Sequence, residues 1–109
     1  MVAWTEEVTS RVRGNHAADP LRGDWPAPAA LDAEAWIATT GELRTARYTL
    51  LEALEKALEE NLYMRVSPAS ADSQATAVTR AQTVAGLADH DVYHLGQIAM
   101  IKAEIRSRK

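Results

Sequence analysis

The segment ADHDVYHLGQIAMIK, residues 88–102, places His90 and His94 four residues apart in a stretch that reads as helix. Residues four apart on a helix stack on one face, with Cβ atoms roughly 5–6 Å apart. Two imidazoles so placed converge on one cation, as on zinc-binding helices with H-x-x-x-H spacing. Neutral imidazole suits Zn, Ni, Cu and Fe. The same spacing also describes two histidines hydrogen-bonded near a helix surface without metal, and it arises often by chance. Two ligands do not complete a site, because a catalytic zinc takes three protein ligands and keeps one position open. The chain has no cysteine, so a further ligand is His, Asp, Glu or a backbone oxygen. Asp91 and Tyr93 step away from the pair by about 100° per residue. Gln97 lies one turn beyond Tyr93 and can donate or accept a hydrogen bond. Gly96 leaves room for another backbone or a ligand to approach.

The elements that must hold these residues are helical. Trp4, Val8 and Val12 recur every four residues, which predicts a short helix ending at Gly14. A loop follows with Pro20, Gly23, Pro26 and Pro28, and Trp25 is expected to tuck against the bundle and pin it. Asp32 reads as the N-cap of a second helix running to near Leu62. Trp36, Leu43, Leu50, Leu54, Ala57 and Leu58 keep helical spacing there, and Thr39, Thr40 and Gly41 weaken it locally. A second loop follows, with Pro68 and many small polar residues, and Met64 to Val66 are expected to be extended. Thr79 reads as the N-cap of the last helix, which continues towards Arg106. Its inward stripe is Val84, Leu87, His94, Ile98, Ile101 and Ile105.

The sum is one all-α domain over residues 1–109 with three main helices, two of them long. Helix bundles usually close with four. A three-helix chain leaves an apolar face open, and such a face favours self-association, so a homodimer is the expected partner state. The composition is ordinary, with 47% hydrophobic and 25% charged residues. A net charge of −3 gives no sign of a nucleic-acid partner. No apolar run approaches membrane-spanning length, and MVAWTEEVTS has no signal-peptide pattern. With no cysteine, a reducing cytoplasm is the expected setting.

HDVYHLGQIAMIK resembles the last-helix signature of the DinB-like (YfiT-like) metalloenzyme family, in which a His-x-x-Tyr-His-x-Gly-Gln-Ile pattern recurs. The short Trp-bearing helix, the loop GDWPAPAALDAEAW, the long Leu-rich helix and the polar loop come in that family's order. The resemblance implies an up-down-down-up four-helix bundle with a divalent metal (Zn, Ni, Mn or Fe) held by three histidines. Two of these match His90 and His94. The third belongs a few residues before the aromatic that Trp4 matches, at or before Met1. The family's first helix would precede it, so the domain reads as N-terminally shortened unless coding sequence lies upstream. His16 is the remaining histidine, in a loop at the far end of the first helix, and Glu6 or Glu7 could turn inward as a carboxylate ligand. A symmetric dimer could also bring two histidine pairs together.

Two functions follow. One is a metal-dependent enzyme, a hydrolase or thiol-dependent S-transferase acting on a small molecule, with Tyr93 and Gln97 supporting the metal or facing substrate. The other is a catalytically silent, shortened bundle that acts as a homodimeric association module. Among the remaining residues, Trp4, Trp25 and Trp36 are expected as core or interface anchors, and Met64 and Met100 as core filler. Arg11 and Arg13 read as a solvated helix end. Ser67, Ser70 and Ser73 have no general base nearby in sequence.

Overall fold

The computed structural model describes residues 1–28, 30–66 and 78–108. They form α1 (Val2–Val12), α2 (Ala33–Lys56), the single-turn α3 (Glu59–Leu62) and α4 (Arg80–Ser107). The fold is all-helical, and the described residues contain no strand beyond one isolated bridge between Arg65 and Thr79. No described helix is long and apolar enough to cross a membrane.

Local rules set the helix ends. Gly14 takes φ +99°, its amide donates to the Arg11 carbonyl, and the Asn15 amide donates to the Ser10 carbonyl. This is the Schellman stop that a glycine after a helix favours. A Cβ at Gly14 would meet Arg80 Nη2 at an ordinary 3.6 Å, so the demand for glycine is conformational and not steric. Gly14→Ala is therefore expected to lower stability by about 1–2 kcal/mol, the handicap of the left-handed region for an L-residue, measurable by urea unfolding. Asp32 caps α2 by accepting from the Ala35 amide. Thr79 caps α4 in a full capping box with Gln82.

α2 runs unbroken through Thr39, Thr40 and Gly41 but stops at Lys56, short of the expected Leu62. Ala57 and Leu58 turn extended, and α3 restarts at Glu59. The turn returns Leu62 to the core and lets the Asn61 carbonyl accept from Arg80. Packing thus overrides a helical pattern that contains no Gly or Pro. The described part of the second loop matches the expectation at Arg65, which bridges Thr79, while Met64 lies in a bend with its amide donating to the Asn61 carbonyl. Val66 is buried, its amide donating to the Val78 carbonyl. Pro68 and the serines at 67, 70 and 73 lie outside the described residues.

α1 is the middle of the molecule. It packs parallel to α2 and antiparallel to α4, while α2 and α4 scarcely touch. Val8 and Val12 meet Leu50, Ala53 and Leu87 in the core, flanked by Trp4, Leu54 and Val84. Thr5 and Thr9 are also buried, their hydroxyls donating to the Met1 and Thr5 carbonyls. In a square four-helix bundle this arrangement leaves open the corner diagonal to α1.

α1 is also short. At 1.5 Å per residue it spans about 16 Å, against about 36 Å for α2 and about 42 Å for α4. The radius of gyration, 16.3 Å, exceeds the roughly 13 Å of a compact chain of this length. Several expected core residues are consequently exposed. Trp36 is 65% exposed, Ile98 40%, Ile101 59% and Ile105 52%, and Leu58, Met64 and Met100 are exposed too. Trp36, Ile98, Ile101 and Ile105 have helical spacing, but nothing lies over them.

The first loop is tied down differently from expectation. Trp25 is 81% exposed, so it is no buried pin. Arg22 holds the loop instead, donating to both carboxylate oxygens of Glu6 and to Glu42. The hydrogen bond to Glu6, then that to Glu42, raises the Arg22 guanidinium above its already high pKa. Asp24 accepts from the Trp4 indole, and Pro20 is buried.

Candidate metal centre

His90 and His94 lie on the face of α4 that looks past the start of α1, both half-buried. His90 borders a shallow groove of about 280 Å³ formed with Trp4, Val8, Arg11 and Leu87. The two Nε2 atoms face each other at 3.1 Å. Two imidazole nitrogens on one zinc at roughly 2.0–2.1 Å stand about 2.9–3.4 Å apart for ordinary coordination angles, so the pair is spaced as two ligands of one cation.

The other ring nitrogens define what those Nε2 atoms can do. His94 Nδ1 donates to Gln97 Oε1 at 2.8 Å, and His90 Nδ1 lies 3.3 Å from Asp91 Oδ1. Asp91 Oδ1 is an acceptor and Gln97 can present one, so the tautomer with the proton on each Nδ1 leaves both Nε2 atoms free to bind a cation. At 3.1 Å the two Nε2 atoms either share a hydrogen bond, one donating to the other, or in the other tautomer converge on a cation. Carbonyl and carboxylate oxygens behind ligand histidines are the usual means of fixing tautomer and ring orientation.

Asp91 departs from expectation. It does not turn away but is buried, bonded to His90 and 3.9 Å from Arg47 Nη2 of α2. A sequence signal existed: Asp91 lies four residues after the buried Leu87, on the same stripe. Gln97 stands where its spacing placed it. Tyr93 is exposed, with its ring 5.7 Å from that of His94. Trp25 contributes a tilted ring 5.7 Å from His94, a contact the sequence did not disclose because it depends on the path of the first loop. Nothing approaches Gly96, where an added Cβ would meet open space.

The described residues supply no third ligand, for they contain no cluster of three His, Asp or Glu able to hold a metal. Glu7 turns inward but binds Arg11 and accepts from the Ala18 amide. Glu6 binds Arg22. His16 is exposed and lines a different, larger recess of about 590 Å³ with Ser10 and Asn15, at the far end of α1. That recess holds no residue of the histidine pair.

Comparison with protein-family models, curated proteins and solved structures returns no match for this chain.

Proposed function

We propose that this chain is a DinB-like metal-dependent enzyme, of the hydrolase or thiol-dependent S-transferase type, in which His90 and His94 hold a divalent cation together with a ligand from beyond the single chain. One observation carries this reading: the two Nε2 atoms meet at 3.1 Å, the spacing of two ligands on one cation, while an oxygen lies within 3.3 Å of each Nδ1. Zn, Ni, Mn or Fe is the cation considered. Bound there, it would supply Lewis acidity, polarising a substrate oxygen or activating a water or thiol. Gln97 and Asp91 orient the imidazoles. Trp25 and Tyr93 wall the open side, where a small-molecule substrate would stack. The motif His-x-x-Tyr-His-x-Gly-Gln-Ile supports the family, and the absence of cysteine suits a cytoplasmic setting.

The test is metal content by mass spectrometry on tag-free protein recovered from a sizing column after incubation with each of the four metals. Near one metal per site is expected, lost in both His90→Ala and His94→Ala with helicity unchanged. Protein that takes up none of them overturns the reading.

The second reading, a catalytically silent homodimeric module, is favoured by the exposed apolar ends of α2 and α4. In it the histidine pair holds no metal. Dimers that bind no metal would select it.

A further inference from the structure

We propose that the free ends of α2 and α4 interlock with those of a second copy of this chain about a two-fold axis, bringing Glu34 of that copy to the His90–His94 pair. The role given to Glu34 rests on the metal reading above; the interface does not.

The free ends are defined by where α1 lies. Trp4 and Val8 stand beside His90 and Leu87, so the start of α1 is level with His94. Beyond that level α4 continues for residues 95–107, about 20 Å, and α2 extends for residues 33–41, about 14 Å. Ile98, Ile101 and Ile105 prolong the stripe of Leu87 and His94 and are uncovered. On α2, Trp36 and Ile37 are uncovered, with Leu31 just before the helix. The two ends are antiparallel, and α4 reaches about 6 Å further than α2.

Area and symmetry favour a second copy as the occupant. The chain exposes 8214 Å², whereas a compact monomer of 11.9 kDa exposes about 6,000 Å². The excess, about 2,000 Å², is spread over the whole chain, and the uncovered ends of α2 and α4 are one part of it; a standard stable interface takes roughly 800 Å² per partner. A pair of antiparallel apolar ends is also self-complementary, since its two-fold image completes a four-helix core.

Interlocking carries the tip of each copy to the base of the other. The base holds Glu42 on α2 and the histidine pair on α4. The tip holds Lys102 and Arg106 on α4 and Asp32 and Glu34 on α2. The acidic tip then comes level with the imidazoles, where a carboxylate would complete a His₂–carboxylate set. Asp32 is engaged as the cap of α2. Glu34 is exposed and has no hydrogen bond or ion pair among the described residues, which makes it the available oxygen donor.

The experiment is light scattering on a sizing column, paired with zinc content measured on the same peak. Wild type is expected at about 24 kDa, twice 11.9 kDa, with zinc bound. Ile98→Asp/Ile101→Asp is expected as a helical monomer with at least tenfold less zinc, and Ile105→Glu provides an independent disruption nearer the tip. Glu34→Gln should stay dimeric yet lose zinc at least tenfold. A wild-type monomer at 100 μM, roughly a hundredfold above a micromolar dissociation constant, overturns the interface, as does a dimer that survives both isoleucine variants. Zinc retained in the monomer or in Glu34→Gln overturns the role of Glu34. A dimer without zinc overturns the metal reading, and Glu34 with it, while the interface stands.

Discussion

Leu87→Ala should lower the unfolding free energy by about 2–5 kcal/mol, the range for emptying a leucine-sized space in a packed core. Leu87 is the one buried leucine of α4, and it packs against Val8 and Val12 of α1 and Leu50 and Ala53 of α2. It joins three helices, two of which scarcely touch each other without it. A domain of this length has about 5–15 kcal/mol in total, so the loss is a large share. Urea unfolding followed by circular dichroism would show the midpoint falling by about 1 M or more, given slopes of roughly 1–3 kcal/mol/M. Ile101→Ala is the control. It deletes similar apolar volume from the same stripe, yet Ile101 is 59% exposed. Below the concentration at which copies associate it should cost under about 1 kcal/mol. Equal losses at both positions would mean that the stripe is covered along its whole length within one copy.

That contrast shows what the sequence could reveal. Positions governed by local chemistry were legible. Gly14 ends α1, Asp32 starts α2 and Thr79 starts α4, each because a backbone amide or carbonyl needs a partner within a few residues. The inward stripe of α4 was legible as a direction. Burial was not, because it depends on a second element lying over the stripe. Leu87 and Ile101 have equivalent periodicity, and only the length of α1 separates their fates. The break at Ala57 was hidden for the same reason. No residue there opposes helix, and the return of Leu62 to the core decides it.

The candidate site divides along the same line. The spacing of His90, His94 and Gln97 fixes their mutual geometry, since all three lie on one helix. Contributions from other elements were out of reach. Arg47 steadies Asp91 from α2, and Trp25 reaches His94 from a loop whose course is set by Arg22. Neither contact leaves a trace in local pattern. The third ligand is the extreme case: within one copy the described residues offer none, so its source is a question about assembly rather than about periodicity.

Gln97→Leu should weaken metal binding 10–100-fold, the usual effect of removing an oxygen that orients a ligand histidine. Gln97 is exposed and makes its side-chain hydrogen bond to His94 alone, so the fold should be unaffected. Without Oε1, His94 Nδ1 loses its acceptor and the imidazole can place its proton on Nε2. That tautomer cannot donate a lone pair towards His90. Zinc affinity would be read by competition with a chromophoric chelator. The tautomer would be read separately, from long-range proton–nitrogen couplings in the metal-free protein. Gln97→Glu keeps an oxygen acceptor at the same reach and should restore most of the affinity. A leucine variant that binds zinc as tightly as wild type would show that His94 is oriented by something else, such as the rings of Trp25 and Tyr93, both 5.7 Å from its own, or His90. If instead the tautomer shifts and affinity falls together, the proton on Nδ1 is what readies the pair for a cation.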